Sequence, residues 1–238
     1  MVINLFHGSD HVIEKPLYNF GKDTNDFGKG FYCTPLPEMA KEWACKEYID
    51  GYVNKYTIDE RDLNILNLFE KKYNVLNWIA LLLKYRKFTT NAQIAIDAKE
   101  YIINQFAIDT TNYDVIVGYR ADDSYFSYAQ AFIHNSLPID GLFKALQLGQ
   151  LGQQKVLVSE KAFDHIVFKN AVLVDKDIYY PKYMERDTKA RKDYFNEVSK
   201  EKYNKEDVFV MDLLRGDVKE DDARIQRTIL IWFTNTIS

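Results

Sequence analysis

Cysteine, histidine and proline are all scarce in this chain, with 2 Cys, 4 His and 5 Pro among 238 residues. Cys33 and Cys45 have no partners at zinc-ligand spacing, so they read as free thiols of a reducing compartment. His11, His134 and His165 show no ligand spacing either, and no metal is assigned. A basic excess is missing. The net charge of −4 and the pI near 5.6 give no general footprint for nucleic acid, which is neither indicated nor excluded. Long hydrophobic runs are missing as well: the longest strongly apolar one, residues 79–83, is far too short to span a bilayer. The opening Met-Val-Ile-Asn-Leu-Phe lacks the basic start and long apolar core of a signal peptide. The expectation is a cytoplasmic protein with no membrane partner. There is no internal repeat and no low-complexity linker.

What the chain does have is apolar and aromatic residues. Hydrophobic residues make up 47 %, enough for a full core in one large domain or in one domain with an appendage. The 17 Tyr and 15 Phe are unusually many, and while most rings in a globular protein are simply packed, such a supply also suits stacking surfaces.

Patterning predicts strands over residues 2–6, 30–34, 51–58, 62–68, 114–119 and 155–158, with further strand candidates at 166–168 and 171–174. Residues 10–26, with Pro16, Gly21 and several Asp and Asn, read as a loop at a strand end, where binding residues commonly sit. Pro35 and Pro37 open a helix predicted to run to about residue 49. Helical segments over 75–86 and 91–106 form an insert, about 74–106, expected to separate the halves of a sheet. A helix after residue 123, another over 139–148 and a brief one capped by Ser159 follow. Beyond Tyr179 the chain becomes densely charged. The division expected is a domain over 1–175 and a charged helical C-terminal appendage over 176–238.

Two short stretches carry the chemistry. Leu5-Phe6-His7-Gly8-Ser9 is an apolar strand ending in a His-Gly pair, and Asp26-Phe27-Gly28-Lys29-Gly30-Phe31-Tyr32-Cys33-Thr34 sets two glycines before an aromatic pair. Glycine lets backbone pass close to a ligand, while adjacent His and Tyr supply ring faces and hydrogen bonds, as a nucleotide pocket requires.

Together these stretches resemble the first two signature elements of ADP-ribosyltransferases of the diphtheria-toxin and poly(ADP-ribose) polymerase type, whose pattern is His, then Tyr, then a variable third residue, usually Glu. A third match lies at Gln153-Gln154-Lys155-Val156-Leu157-Val158. Within that superfamily the run from Tyr113 to Phe126 is similar to the signature of the bacterial DUF3990 family, a domain of unknown function. The resemblance covers roughly residues 2 to 170. It implies an α+β fold with a split, mostly antiparallel β-sheet, peripheral helices, and NAD lying as substrate in a cleft between the half-sheets.

The resemblance also implies residue roles. His7 would donate to a ribose hydroxyl of NAD and the Gly8 backbone would bind the carboxamide, with Ser9 and Gly30 beside them. Tyr32 would lie against the nicotinamide face, with Trp43 as a second aromatic wall unless its indole faces the core. Gln154 departs from the pattern, keeping a hydrogen bond and losing the charge of Glu, with Gln153 the less favoured occupant by register. On its own chemistry, a guanidinium fork suiting phosphate oxygens, Arg120 is a partner for the NAD pyrophosphate or else for Asp122 locally. Asp122 and Asp123 are candidates for the missing carboxylate, or else a helix cap and its solvated neighbour. The implied activity is mono-ADP-ribosyl transfer from NAD to a protein or nucleic-acid acceptor with release of nicotinamide, in a bacterial toxin with an antitoxin protein as partner. The alternatives are a catalytically silent NAD- or ADP-ribose-binding module and an NAD glycohydrolase.

Overall fold

The structure, a computed structural model, describes residues 1–121, 123–148, 152–193, 195–196 and 202–229, and of these it leaves out the side chains of residues 123–125, 147–148 and 190. Two sheets form the frame. In the first, β1 (Val2–Ser9) and β7 (Ile166–Val174) flank β3 (Gly51–Asp59), and both pairings are antiparallel. In the second, β2 (Phe31–Cys33), β6 (Gln153–Leu157), β5 (Val115–Tyr119) and β4 (Ile65–Asn67) lie in that order, with β4 and β5 parallel and the other pairs antiparallel. Among the described residues one backbone-paired couple joins the sheets: Phe6 N–H donates to Thr34 O at 2.8 Å and Thr34 N–H to Phe6 O at 2.9 Å. The fold is therefore α+β with an open, mostly antiparallel arrangement of strands.

Strand alternation sorts the core into layers. Leu5, Tyr56 and Ile58 of the first sheet pack against Phe31, Cys33, Val115, Val117 and Leu157 of the second. On the outer face of the first sheet, Val53 and Val174 meet Ala40 of α1 (Pro37–Ala44). On the outer face of the second, Ile116 and Val156 meet the helices, centred on α2 (Val75–Tyr85). α2 is apolar almost all round, as a helix buried on every side must be. A capping box starts it, with Leu76 N–H donating to Asn74 Oδ1 at 2.9 Å and Asn74 N–H to Asn77 Oδ1 at 2.8 Å. Trp78 Nε1 donates to Tyr119 O at 3.0 Å and ties α2 to β5.

Three expectations change. α1 ends at Ala44 rather than near residue 49, because Cys45 is extended (φ −88°, ψ 142°) and Lys46 and Ile49 form a backbone bridge. The insert, α2 with α3 (Gln93–Phe106), does not lie between half-sheets: it connects β4 to its parallel neighbour β5 within one sheet, the crossover that a parallel pair demands. The charged C-terminal stretch begins with α7 (Lys176–Asp193), which packs on α1, where Arg186 Nε donates to Glu42 Oε2 at 2.9 Å. Further on, Val208, Val210 and Leu213 around α8 (Val210–Leu214) and Ile225 of α9 (Ala223–Gln226) are buried in the same core as α2, so this region does not stand off as an appendage. Beyond α7 the helices expected over 176–238 are short among the described residues, and the stretch past residue 229 lies outside them.

Leu213→Ala should accordingly lower stability by about 2–5 kcal/mol, the cost of truncating a buried leucine, as measured by equilibrium denaturation. A change within about 0.5 kcal/mol, typical of surface positions, would return the C-terminal helices to the status of an appendage.

Candidate functional site

A cleft of about 800 Å³ opens beside the junction of the sheets, walled by the end of β1, by β2, by α1 and by the loop between β1 and β2. His7, Gly8, Ser9, Gly30, Tyr32, Trp43, Arg120 and Gln154 all line it. Asp122 lies outside the described residues, and Asp123 opens α4 (Asp123–Ile133) with its side chain outside them. Strand alternation decides between the glutamines: Gln154 is 2 % exposed and lines the cleft, whereas Gln153 points to the other face of β6.

His7 stands at the joint. Its Nδ1 lies 2.6 Å from Tyr32 O, and a carbonyl can only accept, so Nδ1 carries the hydrogen. The ring stacks on Phe31 with centroids 4.4 Å apart. Burial pushes the His7 pKa below its ordinary 6.5, outweighing the bond to Tyr32, so the ring is neutral at physiological pH and Nε2 is bare. His7 thus offers the cleft an acceptor, the reverse of the donor that the resemblance implies.

Tyr32 is held by its tip. The hydroxyl donates to Gly28 O at 2.7 Å and accepts from Phe27 N–H at 3.0 Å, closing the turn in which Gly28 adopts φ +76°. Burial drives its pKa well above the ordinary tyrosine value, so this hydroxyl is a fastener and no proton donor to chemistry. Gly8 is glycine because of the fold: a Cβ there would sit 2.1 Å from Ala40 O, since α1 crosses β1 at this point. Ser9 Oγ is likewise engaged, donating to His11 O at 2.5 Å and accepting from Asn54 Nδ2 at 2.9 Å. Asn54, fully buried, also accepts from Ile13 N–H at 2.8 Å and so anchors the start of the loop wall.

Trp43 does not sit in the core. Ala40 and Ala44 are the buried residues of α1, and Trp43 turns toward the cleft with the Arg120 guanidinium 4.5 Å from its ring centroid. That face is taken by a cation–π contact, so Trp43 acts as a platform for Arg120 rather than as a bare second wall. Its Nε1 is buried with no hydrogen-bond partner among the described residues.

Sequence reading assigned no role to Asp26, although it opens the glycine-bearing stretch. It lines the cleft, is 8 % exposed, and accepts at Oδ2 from Ala121 N–H at 2.8 Å and from Gln154 Nε2 at 3.1 Å, while Arg86 Nη1 lies 3.4 Å from Oδ1. Gln154 Nε2 also donates to Tyr119 O at 3.0 Å. Burial holds the Asp26 pKa above the ordinary carboxylate value, and the Ala121 N–H, Arg86 and Gln154 pull it only part of the way back. Every one of these contacts is a donor, which suits an ionised carboxylate. An acidic residue shortly before a Gly-x-Gly was the signal available. Its partners are scattered across α2, β6 and the end of β5, which no local pattern reveals.

The arrangement is that of an α+β protein whose ligand-sized cleft draws neutral acceptors, an arginine and a buried carboxylate from distant regions of the chain. The family described as "Protein of unknown function (DUF3990)" matches residues 3–168, and the chain belongs to it. The cleft residues from His7 to Gln154 fall within that match. No curated protein and no solved structure matches the chain. No helix among the described residues is long and apolar enough to cross a membrane, and no cluster of metal-ligating side chains occurs among them.

Gly8→Ala should destabilise the protein by about 1–3 kcal/mol or more, because either α1 or β1 must shift to admit the methyl group, and thermal denaturation reads this directly. Because the folded-state pKa of His7 is depressed, the unfolded chain binds the proton first as pH falls through 6.5, and stability drains away below that value. NMR titration of the ring should find it neutral at pH 6.5, and His7→Gln should flatten the acid side of the stability profile.

Proposed function

We propose that the protein transfers single ADP-ribose units from NAD to a macromolecular acceptor with release of nicotinamide. The observation that carries this reading is convergence. Seven residues picked out by their likeness to ADP-ribosyltransferase motifs, from His7 to Gln154, line one cleft of about 800 Å³ together with Arg120, picked out for its guanidinium; the cleft draws on both sheets and its size suits a small-molecule ligand. In the reaction the bond between ribose C1′ and the nicotinamide nitrogen breaks, and its electron pair leaves with neutral nicotinamide. The acceptor then forms a bond to C1′ and gives up its proton. In this reading the Tyr32 ring orients the nicotinamide, His7 Nε2 accepts from a ribose hydroxyl, and Arg120 on its Trp43 platform faces the diphosphate. Positive charge develops on the ribose as the bond breaks, and the acceptor atom of Gln154 with the Asp26 carboxylate behind it offers compensating negative potential. Water as acceptor would make the same site a glycohydrolase. A silent binding module is the rival, favoured by the neutral amide at position 154. A bacterial toxin held in check by an antitoxin protein is the setting this reading proposes.

Incubation with NAD labelled in the adenosine moiety and with a lysate should release nicotinamide and leave label on protein or nucleic acid, as single units by mass spectrometry. Gln154→Ala should cut the rate by about tenfold or more, the effect of losing one donor or acceptor aimed at the reacting centre. Binding of NAD without nicotinamide release would favour the silent module, and polymeric ADP-ribose would contradict single-unit transfer.

A further inference from the structure

We propose that Asp26 is a positioning residue for Gln154, and that the two side chains together replace the single glutamate of the resembling enzymes. The inference rests on the reading of the cleft as an NAD site, but its geometry is independent of it. A glutamine amide has one acceptor end and one donor end, and rotation by half a turn exchanges them. Here the donor end is fixed: Nε2 faces two acceptors, Asp26 Oδ2 at 3.1 Å and Tyr119 O at 3.0 Å, which use both of its hydrogens. Oε1, which no donor among the described residues reaches, is what this buried amide has left for the cleft that it lines. Without Asp26 the Tyr119 carbonyl alone would select the orientation. With it, a charge-assisted hydrogen bond holds the amide and polarises it, drawing the N–H toward the carboxylate and raising the electron density on Oε1.

The carboxylate is itself held from several directions, by the Ala121 N–H beyond β5 and by the Arg86 guanidinium at the end of α2, which also donates to Ala121 O at 2.6 Å and lies 4.5 Å from the Phe126 ring centroid. Asp26 therefore has little freedom to approach a substrate, and its negative charge acts through the amide. The consequence for sequence change is specific. A glutamate at position 154, which the resemblance alone would favour, would face a fixed carboxylate and a carbonyl at hydrogen-bond distance and be repelled by both.

The test is a double-mutant cycle over Asp26→Asn, Gln154→Glu and the pair combined, read by thermal midpoint and by steady-state nicotinamide release. Gln154→Glu alone should lower the midpoint by several degrees, and adding Asp26→Asn should recover a share of that loss, since an asparagine amide can donate to the new carboxylate. Two independent positions would instead show additive losses. Asp26→Asn alone should lower kcat about tenfold while KM for NAD stays within about threefold, the split expected when ground-state binding survives and transition-state stabilisation does not. Additive midpoints, or Gln154→Glu as stable and as active as the wild type, would overturn the positioning role. Failure of the functional reading looks different: the wild type would release no nicotinamide while the non-additive midpoints persisted.

Discussion

The molecule depends on the point where the backbones of its two sheets are hydrogen-bonded to each other. Phe6 and Thr34 exchange both backbone hydrogen bonds, and no further pair follows, because β1 continues alongside β3 while β2 continues alongside β6. Strands that share only one such pair must diverge, and the space they leave has backbone edges on both sides. His7, next along β1, spans the start of that gap by donating to Tyr32 O. The same residue that would face a ligand therefore also fastens the frame. Loss of the ring would remove a hydrogen bond and a stacking contact at the seam as well as an acceptor from the cleft.

Around this seam the polar groups are arranged by burial. Tyr32, Asn54 and Asp26 each satisfy several backbone or side-chain partners around the loop between β1 and β2, so the cleft wall is held by named hydrogen bonds at residues 9, 11, 13, 26, 27 and 28. Low polarity makes each of these bonds stronger and makes any unpaired group costly. Between them, residues 17, 18 and 20 leave Leu, Tyr and Phe exposed, with Phe20 82 % accessible. The loop is thus pinned at both ends and apolar in the middle, beside the opening of the cleft.

Much of the frame was legible because its elements carry strong local patterns. The Val-Ile-Val run of β5, the proline start of α1 and the apolar face of α2 all fall where periodicity puts them. β7 reads as two fragments in sequence yet is one strand, since the extra residue Lys169 is absorbed at the irregularity opposite Lys55 and Tyr56. The site was less legible than the frame. His7, Tyr32 and Gln154 sit within recognisable stretches, but the direction of the His7 hydrogen bond, the Arg120 contact that covers Trp43, and the carboxylate of Asp26 are all set by partners far away in the chain. Charge in the C-terminal third masked the buried Val208, Val210 and Leu213, which are spaced too closely with polar residues for a long amphipathic helix to show.

The topology bears on how the protein comes into being. β1 must wait for β3, β2 must wait for β6, and β3 is not flanked on its second side until residue 174 has been made. During synthesis from the N-terminus, the emerging chain holds His7 and Tyr32 long before it holds Gln154 or the strand that orders it. A nascent or truncated chain therefore carries the motifs without a cleft. Whatever chemistry the cleft performs must wait until the strand carrying Gln154 and the strand ending at Val174 have been made, so the motifs exist in the growing chain well before the site does.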